Sequence, residues 1–296
     1  MESKTKIHLS VISTSILVAV SSIAGISSVW MKNPYDVVNI FGDSVTLFGG
    51  GIYRYQTVSQ VYQVVAHDLV NLFIALPSFL FSYWYMQKRS SFFARFLFIA
   101  IALYYAFTFG IYTFFSVFND LFLVNVALLG LTFYLFLGQL LNLSWEDAPK
   151  AFQPQYPKKV LGTYLVIVSS LMAFFWVLQA RPVVIGGSGP SALLEVGTTL
   201  VPHAIDLAFL LPVAFIAGLK LFRGHCSGYV AAIILPFFLI FMMSSVIAKG
   251  VFLELTATER AIEMIVFMGI FLLVSVIMVI INYKYKIPIS KDSGVM

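Results

Sequence analysis

Residues 58–86, VSQVYQVVAHDLVNLFIALPSFLFSYWYM, indicate the fold class of the chain. This stretch is apolar enough to cross the hydrocarbon core of a bilayer, which takes about 20 residues in a helix. Each such stretch must be helical, because a lone strand in lipid would leave its backbone N–H and C=O groups unpaired. We therefore predict an all-α integral membrane protein, a bundle of eight transmembrane helices. The predicted spans are approximately 8–30, 62–86, 92–117, 120–142, 159–180, 199–221, 227–252 and 262–283.

The composition agrees with this class. The chain is 60% hydrophobic and only 10% charged, with a mean hydropathy of +0.94, whereas soluble domains are about 25% charged. The net charge of +5 comes from basic residues at the predicted helix ends, which membrane topology explains without a nucleic acid partner. The lone cysteine, Cys226, excludes an intrachain disulfide.

The orientation follows from the distribution of lysine and arginine. An even number of spans puts both termini on one side, and cytoplasmic segments carry the excess of basic residues. With the termini inside, 13 of the 18 basic residues lie in or beside cytoplasmic segments. We predict a multi-pass protein of the cell membrane with both termini cytoplasmic. The five that face outward are Lys32, Arg54, Arg181, Lys249 and Arg260.

The second and sixth spans resemble each other. Shifted by 135 residues, AHDLVNLFIALP (66–77) aligns with VPHAIDLAFLLP (201–212), and Pro77 meets Pro212. Because a proline removes one helical hydrogen bond, both helices are predicted to bend at matching depths. The match indicates two parallel four-helix halves, although any apolar chain can align with itself this well. The halves would be 1–143, with an external loop at 31–61, and 159–296, with an external loop at 181–198, joined by a cytoplasmic linker at 144–158.

Ionisable and polar residues collect at the outer ends of the predicted spans. Asp68 and Asn71, like His203 and Asp206, are three residues apart and share a helix face. Charged groups inside membranes are costly and normally face a bundle interior or water. We therefore predict an outward-facing polar cavity lined by spans 2, 4, 6 and 7. The candidate site residues are His67, Asp68, Asn71, His203, Asp206, Lys249, Asn119, Asp120, Tyr104 and Tyr112.

Three functions fit this pattern. The cavity can bind a small molecule or ion, or a proton, in a transporter, since histidine and carboxylates exchange protons readily. The polar groups can instead fix the helix packing beneath an external cap, in a non-catalytic sensor or assembly factor. In the third alternative, a membrane-embedded hydrolase or transferase, the metal ligands would be His67, Asp68, His203 and Asp206, although no metalloenzyme motif is present. The sequence does not identify a cofactor.

Three segments carry a resemblance to a known family: the His67-Asp68 pair, FNDLFLVNVALLGLTFYLFL (118–137) and TTLVPHAIDLAFLLP (198–212). They resemble a family of uncharacterised bacterial polytopic membrane proteins. The resemblance implies a bacterial membrane location and the same fold. It implies no activity, because the family has none established.

Overall fold

The computed structural model describes residues 2–89, 92–186 and 194–287. Within these ranges it contains eight helices long and apolar enough to cross a membrane, which confirms the predicted all-α bundle of eight spans. Residues 187–193 of the predicted external loop 181–198 and residues 288–296 of the second predicted half, which include the basic residue Lys291, lie outside the described residues. The helices are α1 (Glu2–Ser27), α2 (Val58–Val70, Asn71–Ala75 and Leu76–Arg89), α3 (Phe92–Phe114), α4 (Phe122–Leu141), α5 (Lys158–Val184), α6 (Val201–Ile205, Asp206–Leu210 and Leu211–Phe222), α7 (Cys226–Leu255) and α8 (Ile262–Lys284).

Eight crossings put both ends of the chain on one side of the bundle. We call the opposite side, which carries residues 32–57, the outer side, following the prediction from the basic residues. Helix α3 is the most buried of the eight, followed by α7. Helix α7 packs against α2, α3, α6 and α8, and α3 packs against α2 and α4. The centre of the bundle is therefore built from α3 and α7, which are the third helices of the two predicted halves.

Helices α2 and α6 each contain one π-helical turn. In α2 it covers Asn71–Ala75 and in α6 Asp206–Leu210, and both turns directly precede a Leu-Pro pair. In each, the first residue accepts a hydrogen bond from the backbone N–H five residues later. This wider turn accommodates the bond pattern that the following proline disrupts. The two turns are 135 residues apart, the same offset that aligns the sequences.

Residues 32–57 form a compact outer cap. Strands β1 (Tyr35–Val38) and β2 (Ser44–Leu47) pair antiparallel, and the chain then folds back across the start of α2, where Phe48 and Tyr53 pack against Val61 and Val65. The glycines at 49–51 allow a close backbone approach, since a Cβ on Gly50 would lie 1.6 Å from the carbonyl oxygen of Met31. The cap is therefore part of the folded core.

The inner segment at 144–158 also packs against the bundle. It contains two short 3₁₀ turns, Trp145–Asp147 and Pro149–Ala151. The Tyr156 hydroxyl donates to Oδ1 of Asn282 in α8 at 2.6 Å, and its ring lies 5.3 Å from that of Tyr229 in α7. Both rings are buried, so the predicted linker packs against α7 and α8.

Candidate functional site

The site is centred on Asp68, which lies about 15 Å along α2 from its first residue at 1.5 Å per residue. Its side chain is fully buried. Oδ2 accepts a hydrogen bond from the hydroxyl of Tyr53 in the cap at 2.7 Å, and Oδ1 accepts one from Tyr112 in α3 at 2.9 Å. Gly25 of α1 closes a third side, because a Cβ there would lie 1.9 Å from Oδ2. One carboxylate thus contacts the cap and two neighbouring helices.

Tyr53 is the cap's contribution to the site and remains a hydrogen-bond donor. It is 3% exposed. Burial, followed by the nearby Asp68 carboxylate, raises the pKa of the Tyr53 hydroxyl well above 10.0. The hydroxyl therefore keeps its proton and donates to Asp68 over the physiological pH range.

A row of hydroxyls on α3 faces the polar residues of α2. Tyr104 donates to Oδ1 of Asn71 at 2.7 Å, and the hydroxyl of Thr108 lies 3.1 Å from Nε2 of His67. With Tyr112 on Asp68, each hydroxyl of this face meets one polar group of α2. Interhelical bonding of this kind is common in membrane bundles, and here it fixes the register between α2 and α3.

The row continues to α7 through Tyr104. Its hydroxyl also lies 2.8 Å from the Ser245 hydroxyl. Lys249, one turn further out on α7, is half-buried and interacts electrostatically with Asp68 and His67. Among the described residues it forms neither a hydrogen bond nor a contact ion pair within 4 Å. The site thus joins α2 and α3 of the first predicted half to α7 of the second.

Two buried atoms of this cluster have no hydrogen-bond partner in the described part of the chain. They are Nδ1 of His67 and Nδ2 of Asn71, and both residues are at most 2% exposed. Unpaired buried polar atoms are uncommon and cost about 1–3 kcal/mol each. A water or a small polar ligand that formed hydrogen bonds with these two atoms would remove this cost.

His203 and Asp206 form a separate cluster between α5 and α6. The indole of Trp176 donates to Oδ2 of Asp206 at 2.7 Å, and its ring lies 4.1 Å from that of His203. Nε2 of His203 lies 2.9 Å from Oε1 of Gln179. Within the described ranges, no hydrogen bond, ring contact or electrostatic interaction joins this cluster to Asp68.

Asn119 and Asp120 shape the outer turn between α3 and α4. Oδ1 of Asn119 accepts the backbone N–H of Leu121 at 2.9 Å. Asp120 is exposed and forms a bidentate ion pair with Arg54 of the cap, with both N–O distances 3.1 Å. Asn119 therefore stabilises the outer turn, and Asp120 joins this turn to the cap. Among the described residues, no hydrogen bond joins either residue to Asp68.

This arrangement corrects the predicted cavity. The expected outward-facing cavity lined by spans 2, 4, 6 and 7 is a closed cluster, since His67, Asp68 and Asn71 are at most 2% exposed. It is formed by α1, α2, α3, α7 and the cap. The sequence pattern placed these residues at the outer ends of the spans and did not reveal the cap that covers them.

The four predicted metal ligands are likewise not brought together. His67 and Asp68 belong to one cluster, and His203 and Asp206 to the other. In the described residues no group of three or more His, Cys, Asp or Glu side chains could hold a metal ion.

Several residues of the two clusters were missed from the sequence. Tyr53 lies in a loop without periodicity, and Gly25 is one of many small residues in α1, so neither carries a signal. Ser245 has a usable signal, because it lies four residues before Lys249 and shares its helix face. Trp176 and Gln179, three residues apart near the outer end of α5, could have been found in the same way.

Comparison with known proteins adds no identification: no family model, no curated protein and no solved structure matches the chain.

Proposed function

We propose that the protein is a non-catalytic membrane sensor, in which the outer cap closes over the polar cluster around Asp68. The charge and the hydrogen-bond partners of Asp68 control whether the cap stays closed. The observation that carries this proposal is the position of Asp68, which accepts one hydrogen bond from the cap and one from α3. A change in the charge or the partners of Asp68 therefore acts on the cap and the bundle together.

The energetic cost of the cluster supports a functional role. A carboxylate, an imidazole and an ammonium group are held inside a membrane bundle, where an ionisable group costs several kcal/mol unless it is well paired. Apolar packing would hold the same helices together at lower cost. Polar groups retained at such a position are a functional site by default.

The inner side of the cluster favours a sensor over a conducting path. Phe79 of α2, Phe98 of α3 and Phe238 of α7 all lie inward of Asp68 and are fully buried. The rings of Phe79 and Phe98 stack at 4.8 Å. Buried aromatic side chains therefore lie inward of the polar cluster on all three helices.

A transporter is the second candidate, and the paired π turns favour it. The turns at Asn71–Ala75 and Asp206–Leu210 give the two predicted halves a matching interruption. Such turns are often found at functional sites, and many transporters are built from repeats that move relative to one another. In this candidate the described arrangement is an occluded state, and bending at the two turns opens it.

The cap-to-bundle distance tests the sensor. With the single native cysteine removed by Cys226→Ser, spin labels at Ile40→Cys in the cap and Leu255→Cys at the outer end of α7 report this distance. Both positions are more than 70% exposed, so the labels do not disturb packing. We expect a narrow distance distribution for the wild-type site. Tyr53→Phe and Asp68→Leu should each broaden it toward longer distances.

The matched control is Tyr35→Phe, which removes a hydroxyl from an exposed tyrosine of the same cap. It should leave the distribution unchanged. If Tyr53→Phe and Asp68→Leu also leave it unchanged, the proposal is wrong.

A flux assay separates the two candidates. The protein is reconstituted in liposomes that contain a pH dye, and a membrane potential is applied. The sensor predicts cap movement without proton flux. Proton flux that is abolished by Asp68→Asn would instead support the transporter.

A further inference from the structure

The cluster between α5 and α6 holds two hydrogen-bond acceptors without donors. Oδ1 of Asp206 and Nδ1 of His203 have no partner in the part of the chain that the structure describes. Nε2 of His203 faces the carbonyl oxygen Oε1 of Gln179, which can only accept, so in the neutral ring Nε2 carries the proton and Nδ1 is an acceptor. His203 and Asp206 are three residues apart and share a helix face. A single group with several N–H donors can therefore satisfy both.

The charge of Asp206 is uncompensated by the described residues. Its one polar partner is the indole of Trp176, and no lysine or arginine of the described ranges interacts with it. A carboxylate within a span normally pairs with a cation or with other polar groups. The group that satisfies both acceptors is therefore expected to be positively charged.

The cluster borders the lipid at the level of the outer headgroups. Asp206 is five residues into α6, about 7.5 Å from its outer end at 1.5 Å per residue. Phe209 and Val213 follow in α6 and are 68% and 58% exposed, as expected of side chains in contact with lipid. Tryptophan is also enriched at this depth.

We propose that Asp206 and His203 bind a primary ammonium group, as carried by the ethanolamine headgroup of a phospholipid in the outer leaflet. One N–H donates to Oδ1 of Asp206 and a second to Nδ1 of His203, while Trp176 holds the other carboxylate oxygen. A choline headgroup has no N–H to donate and leaves both acceptors unpaired. The two acceptor atoms are shielded from solvent, so binding requires the half-buried side chains to rotate toward the lipid.

Quenching of Trp176 by brominated lipids tests this site. In the full-length protein, replacing Trp30, Trp84 and Trp145 by Phe leaves Trp176 as the only one of four tryptophans. We expect brominated phosphatidylethanolamine to bind next to Trp176 about threefold more strongly than brominated phosphatidylcholine. Asp206→Asn should remove this preference, although its side-chain oxygen still accepts the Trp176 bond. Glu263→Gln, at an exposed carboxylate at the outer start of α8, should retain it.

Soluble ethanolammonium distinguishes the source of the ammonium group. If it displaces the brominated ethanolamine lipid in the wild type and has no effect in Asp206→Asn, the site also accepts a free amine. If it has no effect in either, the ammonium is bound as part of a lipid. Equal quenching by both lipids in the wild type, or the same preference in Asp206→Asn, overturns the proposal.

Native mass spectrometry provides a second measurement should the tryptophan replacements impair folding. It needs only the otherwise unmodified protein. More bound phosphatidylethanolamine in the wild type than in Asp206→Asn supports the site, and equal amounts contradict it.

Discussion

Gly25 of α1 lies directly against Asp68 of α2, so that a single added methyl group would come within 1.9 Å of the carboxylate oxygen Oδ2. The same Cβ would lie 2.7 Å from the hydroxyl of Tyr53. Because Gly25 has no side chain, the cap and α2 can contact each other directly beside α1.

Gly25→Ala should destabilise the protein although alanine favours helices. Overpacking a closed site typically costs about 1–3 kcal/mol, and here the added atom meets a buried carboxylate. We expect a lower midpoint of thermal unfolding in detergent. Gly269→Ala in α8 is the matched control, because its Cβ meets no atom within 4 Å, and it should be neutral or stabilising. Equal midpoints for the two variants would contradict the close contact.

Tyr104→Phe should destabilise the junction of α2, α3 and α7. It removes the hydroxyl that donates to Oδ1 of Asn71. The Nδ2 atom of Asn71 already has no hydrogen-bond partner among the described residues. Leaving a buried polar group unsatisfied costs about 1–3 kcal/mol. Tyr134→Phe in α4, where the side chain is 71% exposed, is the control. The prediction fails if both variants unfold at the same denaturant concentration.

Tyr156→Phe should loosen the inner segment at 144–158. The hydroxyl of Tyr156 is held by Asn282, and one hydrogen bond contributes about 0.5–1.5 kcal/mol. We expect faster proteolysis within 144–158 and a small loss of thermal stability. Tyr283→Phe, in an exposed side chain of α8, should leave the proteolysis rate unchanged. An unaltered rate in Tyr156→Phe would show that the aromatic packing alone holds the segment.

Glu195 should make the attachment between the loop before α6 and the cap dependent on pH. Burial, opposed by the hydrogen bond from Thr57 and reinforced by the charge of Glu259, raises the pKa of Glu195 above its ordinary 4.5. The folded state then binds this proton more tightly than the unfolded state, so the free energy of unfolding falls as pH rises through the window above 4.5.

Acidification from neutral pH toward that window should therefore raise the thermal midpoint of the wild type more than that of Glu195→Gln. Glu263→Gln, at an exposed position, should retain the wild-type pH dependence. The assignment fails if Glu195→Gln has the same pH profile as the wild type.

The eight spans were predictable because the length and hydropathy of a membrane helix are local properties. The ends of the spans were less predictable. Helix α2 begins at Val58, four residues before the predicted start, because the side chain of Thr57 caps it by accepting a hydrogen bond from the Gln60 N–H. The sequence also predicts a bend at each of Pro77 and Pro212. The π turns that accompany them depend on how the freed backbone groups find partners, which the sequence pattern does not encode.

The polar residues were found but their grouping was not. Helical periodicity shows that His203 and Asp206 share a face, as do Asp68 and Asn71. It does not show which neighbouring helix each face contacts. In the structure the two pairs contact different helices and are therefore separate. Tyr53 could not be assigned to the site for the same reason, because a loop has no period from which its direction can be inferred.

The proposed sensor requires that the bond between Tyr53 and Asp68 holds the cap closed. Hydrogen exchange tests it at the backbone amides of Phe48, Gly49 and Gln56, which are hydrogen-bonded within the cap. Tyr53→Phe and Asp68→Leu should each speed exchange by about ten- to a hundredfold, since a hydrogen bond to a charged group contributes about 1.5–3 kcal/mol. The double variant should exchange no faster than the faster single variant. Unchanged exchange in Asp68→Leu, or effects that multiply in the double variant, would contradict the claim.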